Sequence, residues 1–194
     1  MRIDSEPNIR LASRQELEEV GALVADAFAP FREVLPRHIF EPYVKDACDL
    51  AGRWTEASIA VLEIERRLVG TITYYADAAG EGMGWPPGLA GLRTLAVAPS
   101  AQGSGYGRML CEWCVMRARQ QRAGGLALHT ASFMTSARML YESLGFQRCP
   151  SYDLFASDVL GLDPALGDQK IVAYLLPLQQ VEDSHFDKDS PAAT

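Results

Sequence analysis

Leu92-Arg93-Thr94-Leu95-Ala96-Val97, a proline at 99, Gln102-Gly103-Ser104-Gly105-Tyr106-Gly107, then Arg108 to Gln121 with neither Gly nor Pro: this run decides the fold. Its first six residues are largely apolar and soon followed by Pro99, which predicts a strand ending at a turn. Met109, Leu110, Trp113 and Cys114 recur at one-face helical spacing, which predicts a helix behind the glycines. Gly103, Gly105 and Gly107 let the backbone between strand and helix double back without Cβ clashes. Several N–H groups then converge in one concavity at the positive end of the helix, a setting that suits a phosphate or pyrophosphate.

Spacing narrows the choice of phosphate. A dinucleotide fingerprint needs glycines at the first, third and sixth positions, but Arg108 stands at the sixth here. A nucleoside-triphosphate loop needs Gly-Lys-Ser/Thr after a spaced glycine, and the chain has no such run. Gln102, Gly105 and Gly107 instead resemble the acyl-CoA motif of the GNAT superfamily of N-acetyltransferases, Gln/Arg-x-x-Gly-x-Gly/Ala. The family's second signature is matched one strand later by Ala137-Arg138-Met139-Leu140-Tyr141-Glu142-Ser143-Leu144-Gly145-Phe146.

Working outward, Asn8 to Ala12 alternates like a short strand, and Ser13 with Glu16 predicts a capping box opening a helix through Leu17, Val20, Leu23 and Val24. Pro30, Pro36 and Pro42 predict a bent, aromatic-rich connection, then a second helix near Tyr43 to Gly52. Ser58 to Ile64 and Leu68 to Tyr75 read as a hairpin. Asp77 to Gly88, rich in Gly and Pro, reads as a loop with Trp85 exposed on it. Leu126 to Thr130 is a further strand, Thr135 to Leu144 a short helix stopped by Gly145, and Phe146 to Phe155 with Lys170 to Leu178 a final strand pair around a long loop, Ala156 to Gln169. This order is similar to the whole GNAT fold, so the expected class is α/β: a single domain, residues 8–178, with a mixed central sheet of splayed strands flanked by helices. Residues 179–194 read as a polar C-terminal tail.

Composition bounds the rest. At 194 residues and 48% hydrophobic, one domain is the simplest division. No stretch approaches the ~18 apolar residues of a membrane span and the first ten residues lack a signal-peptide core, so a cytoplasmic protein with no membrane partner is expected. Net charge of −7, from 25 acidic against 18 basic residues, argues against nucleic acid as a partner and mildly favours a cationic acceptor. Cys111 and Cys114 form a Cys-x-x-Cys inside the helical run rather than at its start, which reads as core, and His38, His129 and His185 are too scattered for a zinc site; no metal is expected. A homodimer is left open.

The resemblance implies a function: transfer of an acetyl group from acetyl-CoA, the co-substrate, to a primary amine on a small molecule or peptide by direct attack. It implies that acyl-pantetheine bonds to the backbone of Leu95, Ala96 and Val97, and that the pyrophosphate sits on Gln102, Gly103, Ser104, Gly105, Tyr106, Gly107 and Arg108. It further implies that the Leu95 N–H faces the thioester oxygen and that Tyr141 is the general acid. A tyrosine suits that role because its ordinary pKa of ~10 lies above a thiol's. Three departures stand out: Gly103 and Ser104 where the family is often basic, Met134 where an Asn is common, and Gly91 where many members carry a Glu. The base is therefore open among His129, Glu81, Asp77 and a water chain. His129 has a suitable ordinary pKa but reads equally as a core histidine; on the catalytic reading, His129→Ala moves the acid limb of the pH–rate profile. Without a strand carboxylate, the alternative is a GNAT-fold module that binds acyl-CoA without turnover.

Overall fold

The computed structural model describes residues 6–178. Eight strands form one sheet: β1 (Asn8–Leu11), β2 (Ser58–Ile64), β3 (Arg67–Tyr75), β4 (Ala90–Val97), β5 (Gly125–Ala131), β6 (Gln147–Arg148), β7 (Leu154–Phe155) and β8 (Lys170–Pro177). Their order is β1-β2-β3-β4-β5-β8-β6, with β7 also on β8. Among the described strands only β4 and β5 run parallel. The helices are α1 (Leu17–Phe28), α2 (Arg37–Cys48), α3 (Leu50–Arg53), α4 (Tyr106–Gln120), α5 (Thr135–Ser143) and α6 (Ala156–Leu160). The fold is thus an α/β mixed sheet flanked by helices, as the pattern predicted; the polar tail lies outside the described residues.

The β4–turn–α4 unit forms because each part has its own driving force. β4 is buried on both faces at its start, Ala90 and Leu92 on one side and Gly91 on the other. The buried stripe of α4 is Leu110, Cys111, Cys114 and Ala118, with Met109 and Trp113 on its flanks. The two cysteines are therefore core residues, and burial pushes the Cys111 thiol up to about 12. Large apolar side chains buried this way contribute roughly 1.5–3 kcal/mol each. At the chain's start Glu16 accepts from the Ser13 N–H at 2.7 Å, the predicted box.

Four expectations change. The second helix begins at Arg37, so Pro42 lies inside it and gives up the helical bond to the His38 carbonyl rather than ending the chain's turn. The Asp77 to Gly88 loop contains a 3-10 turn, Ala78–Glu81, and its Trp85 is 3% exposed rather than displayed. Phe146 to Phe155 is not one strand: a 3-10 turn at Pro150–Tyr152 separates β6 from β7. The Ala156 to Gln169 loop carries α6. Asp153 pins that region to the sheet, accepting from Arg148, from Lys170 and from the Ala173 N–H.

Sheet geometry creates a cleft. β4 and β5 pair at Ala90↔Leu126, Gly91↔Ala127 and Leu92↔Leu128 and then part. Beyond that point Arg93 to Val97 stays with β3, and His129 to Ala131 stays with β8. At the parting, two residues of β4 (Thr94 and Leu95) oppose one of β3 (Ile72), a β-bulge. Thr94 has φ of +54°, a conformation that costs a β-branched residue on the order of 1–3 kcal/mol and is seen mainly where function requires it.

Candidate active site

A cavity of about 90 Å³ opens where the two strands part. Thr94, Leu95, His129, Tyr141 and Glu81 all line it, so the splay gathers most of the residues the sequence nominated for chemistry. The segment from Phe28 to Tyr43 contributes Phe28, Leu35, Ile39 and Tyr43 to the cavity's walls, and the segment after β7 contributes Ala156, Val159 and Leu160. From the Gly/Pro loop it is Met83, not Trp85, that reaches the wall.

The glycine turn stands at the outer end of the same strand. Gly103 and Gly105 have φ of +79° and +85°, which an L side chain rarely adopts, so these two positions require glycine. Helix geometry leaves the N–H groups of Tyr106, Gly107 and Arg108 without helical acceptors, and Met109 is the first to bond back, to the Gly105 carbonyl at 3.1 Å. Gln102 donates to the Val97 carbonyl at 3.1 Å and so ties the turn to the strand end. The Arg108 guanidinium points elsewhere, to Ser143 Oγ at 2.7 Å and towards Glu112 at 3.8 Å. Its backbone N–H, rather than its side chain, faces the role expected of it.

Tyr141 is 4% exposed on α5, with Phe146 and Tyr174 rings at 5.8 and 6.4 Å. Burial pushes its hydroxyl well above 10, so it stays protonated across the physiological range. At the Asn position of the family motif, Met134 Sδ accepts weak contacts from Thr130 Oγ1 at 3.5 Å and Tyr43 OH at 3.8 Å.

His129, which the sequence left open between base and core histidine, is bonded through both ring nitrogens. Its Nδ1 accepts from Trp85 Nε1 at 3.1 Å, and Nε2 lies 2.8 Å from the Tyr152 carbonyl, to which it must donate. This fixes one neutral tautomer and engages both ring nitrogens, leaving no lone pair for an incoming proton. Burial also lowers its pKa. The imidazole is a strut between the Trp85 loop and the turn at Tyr152, whose rings stack at 4.5 Å.

The carboxylate missing from β4 arrives from outside it. A Cβ built on Gly91 would meet Ala78 Cβ at 3.3 Å and Glu81 Oε2 at 3.5 Å. Gly91 is therefore bare because the 3-10 turn packs on it and lays the Glu81 carboxylate over the strand. The turn is set by Asp77, which accepts from the Ala79 N–H at 3.0 Å, and by the Ala78 N–H bond to the Leu89 carbonyl at 2.7 Å. Asp77 is thus a cap. The Glu81 side chain is 1% exposed, its Oε2 has no hydrogen-bond partner, and its Oε1 lies 3.6 Å from Arg93. Arg93 is itself committed to Asp46, which also pairs with Arg53 at 2.8 Å. Burial outweighs the pull of the two arginines and pushes the Glu81 carboxyl from its usual 4.5 up to about 7. A carboxyl poised there can accept a proton at neutral pH.

Comparison with known proteins bears on the family and the fold. A family model described as acetyltransferase (GNAT) family matches residues 21–146. No curated protein matches the chain significantly. Solved structures do: a GNAT-family acetyltransferase of Staphylococcus aureus has a TM-score of 0.65 at 19% identity, covering 90% of this chain and all of that one. The ribosomal-protein-S18-alanine N-acetyltransferase of Escherichia coli has a TM-score of 0.64 at 18% identity, with 92% and 98% covered. The PaiA N-acetyltransferase of Thermoplasma acidophilum, solved with coenzyme A, has a TM-score of 0.64 at 12% identity, with 87% and 98% covered. At such identities these likenesses speak for the fold.

Proposed function

The chain belongs to the GNAT acetyltransferase family, and from that premise we propose that it moves an acetyl group from acetyl-CoA to a primary amine by direct attack. The observation that carries this reading is the Glu81 carboxylate, buried over Gly91 in the same cavity as Leu95 and Tyr141.

Acetyl-CoA supplies the activated thioester. The chain's residues fit it: the parted edge of Leu95 to Val97 offers unpaired backbone, and the turn from Gln102 to Arg108 offers free N–H groups for the pyrophosphate. Glu81 takes the proton of the incoming ammonium, so that the neutral nitrogen can attack the carbonyl carbon. The bulge takes Thr94 and Leu95 out of regular register with β3 beside the cavity that both line, so the Leu95 N–H is the donor for the charge that builds on the carbonyl oxygen. Tyr141 gives its proton to the departing sulfur, the C–S bond breaks, and the phenolate recovers a proton from the nitrogen, which loses its second one as the amide forms. The high pKa of Tyr141 keeps the hydroxyl charged with that proton until a thiolate forms beside it. Holding amine and thioester together in one walled cleft supplies the remaining acceleration.

His129 has no proton-transfer role in this scheme; it holds the wall. The non-catalytic alternative drew its motive from the lack of a carboxylate on β4, and Glu81 removes that motive. The test is incubation with acetyl-CoA and a mixed amine panel, read by mass spectrometry because four cysteines complicate thiol reagents. Acetylated product supports the assignment. Saturable binding of acetyl-CoA with no product from any amine would return the binding-module reading.

A further inference from the structure

Resting on the acetyl-transfer reading, the geometry points to a narrower acceptor class: a compact primary monoamine on an apolar body, aromatic or branched, carrying neither a carboxylate nor a second cation. The cavity's walls are the first ground. Phe28, Ile39, Tyr43, Leu160 and Ile171 reach it from four different elements and Phe133 from the turn after β5, so an apolar body is met on several sides. Burial of such a body is favourable, whereas a second ammonium held among these apolar walls would lose its hydration.

Charge is the second ground. Three ionisable carboxylate or guanidinium groups line the cavity, Asp46, Glu81 and Arg93. Asp46 is spent on Arg53 and Arg93 together. Arg93 pairs through one nitrogen with Asp46 and stands 3.6 Å from Glu81 through another, so two carboxylates already balance its charge and an acceptor's carboxylate would bring a third. That argues against amino acids. Glu81 lines the cavity, and its buried Oε2 has no hydrogen-bond partner among the described residues. One free acceptor matches one ammonium.

The roof is the third ground. Ala156 at the start of α6 is 3% exposed and packs with Leu35, Ile39 and Phe40, so α6 closes on α2 above the cavity. A peptide chain entering by its amino terminus needs backbone partners along a groove; apolar side chains packed together in this way suit a compact body.

The experiment compares kcat/KM with acetyl-CoA for 2-phenylethylamine, spermidine, phenylalanine and an alanine-initiated peptide, in the wild type and in Phe133→Asp. The wild type is expected to favour 2-phenylethylamine over the other three by about 100-fold or more. Phe133→Asp adds a carboxylate to the wall, and should lower that preference at least tenfold while raising turnover of spermidine. Calorimetric binding of 2-phenylethylamine to the CoA-loaded wild type gives a readout independent of turnover. Spermidine, phenylalanine or the peptide acetylated as well as 2-phenylethylamine would overturn the acceptor class and leave acetyl transfer standing. No acetylation of any amine, and no binding of 2-phenylethylamine, would overturn both.

Discussion

Glu81→Gln should make the protein less active and more stable at once, and the two effects come from one cause. In the folded chain burial holds this carboxyl at about 7 against an ordinary 4.5. Below pH 4.5 the group is protonated in both folded and unfolded chains, so it costs nothing. Between 4.5 and about 7 the unfolded chain ionises first, and folding stability falls as pH rises. Above 7 the loss is complete and constant, worth up to about 3 kcal/mol at 1.36 kcal/mol per tenfold. Glutamine keeps the shape without the titration. Urea unfolding should therefore find wild type and Glu81→Gln alike at pH 4, and the variant more stable by as much as about 3 kcal/mol at pH 8. Over the same range wild-type kcat should climb through an inflection near 7, and the variant should lack that inflection and turn over about 100-fold more slowly at pH 8. A variant destabilised at pH 8 would mean that the carboxylate anchors Arg93 rather than waiting for a proton. Unchanged turnover would remove Glu81 from the chemistry altogether.

Three further outcomes follow from neighbouring groups. Tyr141→Phe should lower kcat about tenfold or more with little change in urea midpoint, since α5 keeps its packing against Phe146; an undiminished kcat would reassign the acid. His129→Ala should leave the inflection near 7 where it is but destabilise the fold by about 3 kcal/mol, because Trp85 Nε1 and the Tyr152 carbonyl both lose their partner. A displaced inflection would restore His129 as the base. Asp46→Asn removes a negative charge that raises Glu81 and frees Arg93 to approach it, so the inflection should move to lower pH by roughly half a unit or more. Movement to higher pH would show that the Arg93 interaction had been misjudged.

The central unit was legible because its signals are local. A short apolar strand, a turn that only glycine can make, and a helical stripe each speak for themselves, and Tyr141 followed at a fixed position in the second motif. Glu81 was not legible in the same way. It sits in a Gly- and Pro-rich loop where acids are commonly solvated, and its placement depends on Ala78 packing against a strand position that lacks a side chain. The signal available was the combination of Gly91 with the Asp77 cap and the Gly82 stop, a short turn needing a flat place to rest. Trp85 misled for a related reason: surrounded by Gly84, Pro86 and Pro87 it looks displayed, yet it is buried on His129 and Tyr152. Strand alternation could not say which way His129 faces, nor that both its nitrogens would find partners. Pro150 was the visible warning that Phe146 to Phe155 would not run as one strand.

The most direct test of the whole account is a hydrogen-exchange footprint of acetyl-CoA on the intact chain. The account predicts slowed exchange at the backbone amides of Leu95 to Val97 and of Gly103 to Arg108, together, and at saturating ligand only. Protection elsewhere, or none at either segment, would contradict the claim that the parted strands and the glycine turn form the acyl-CoA site.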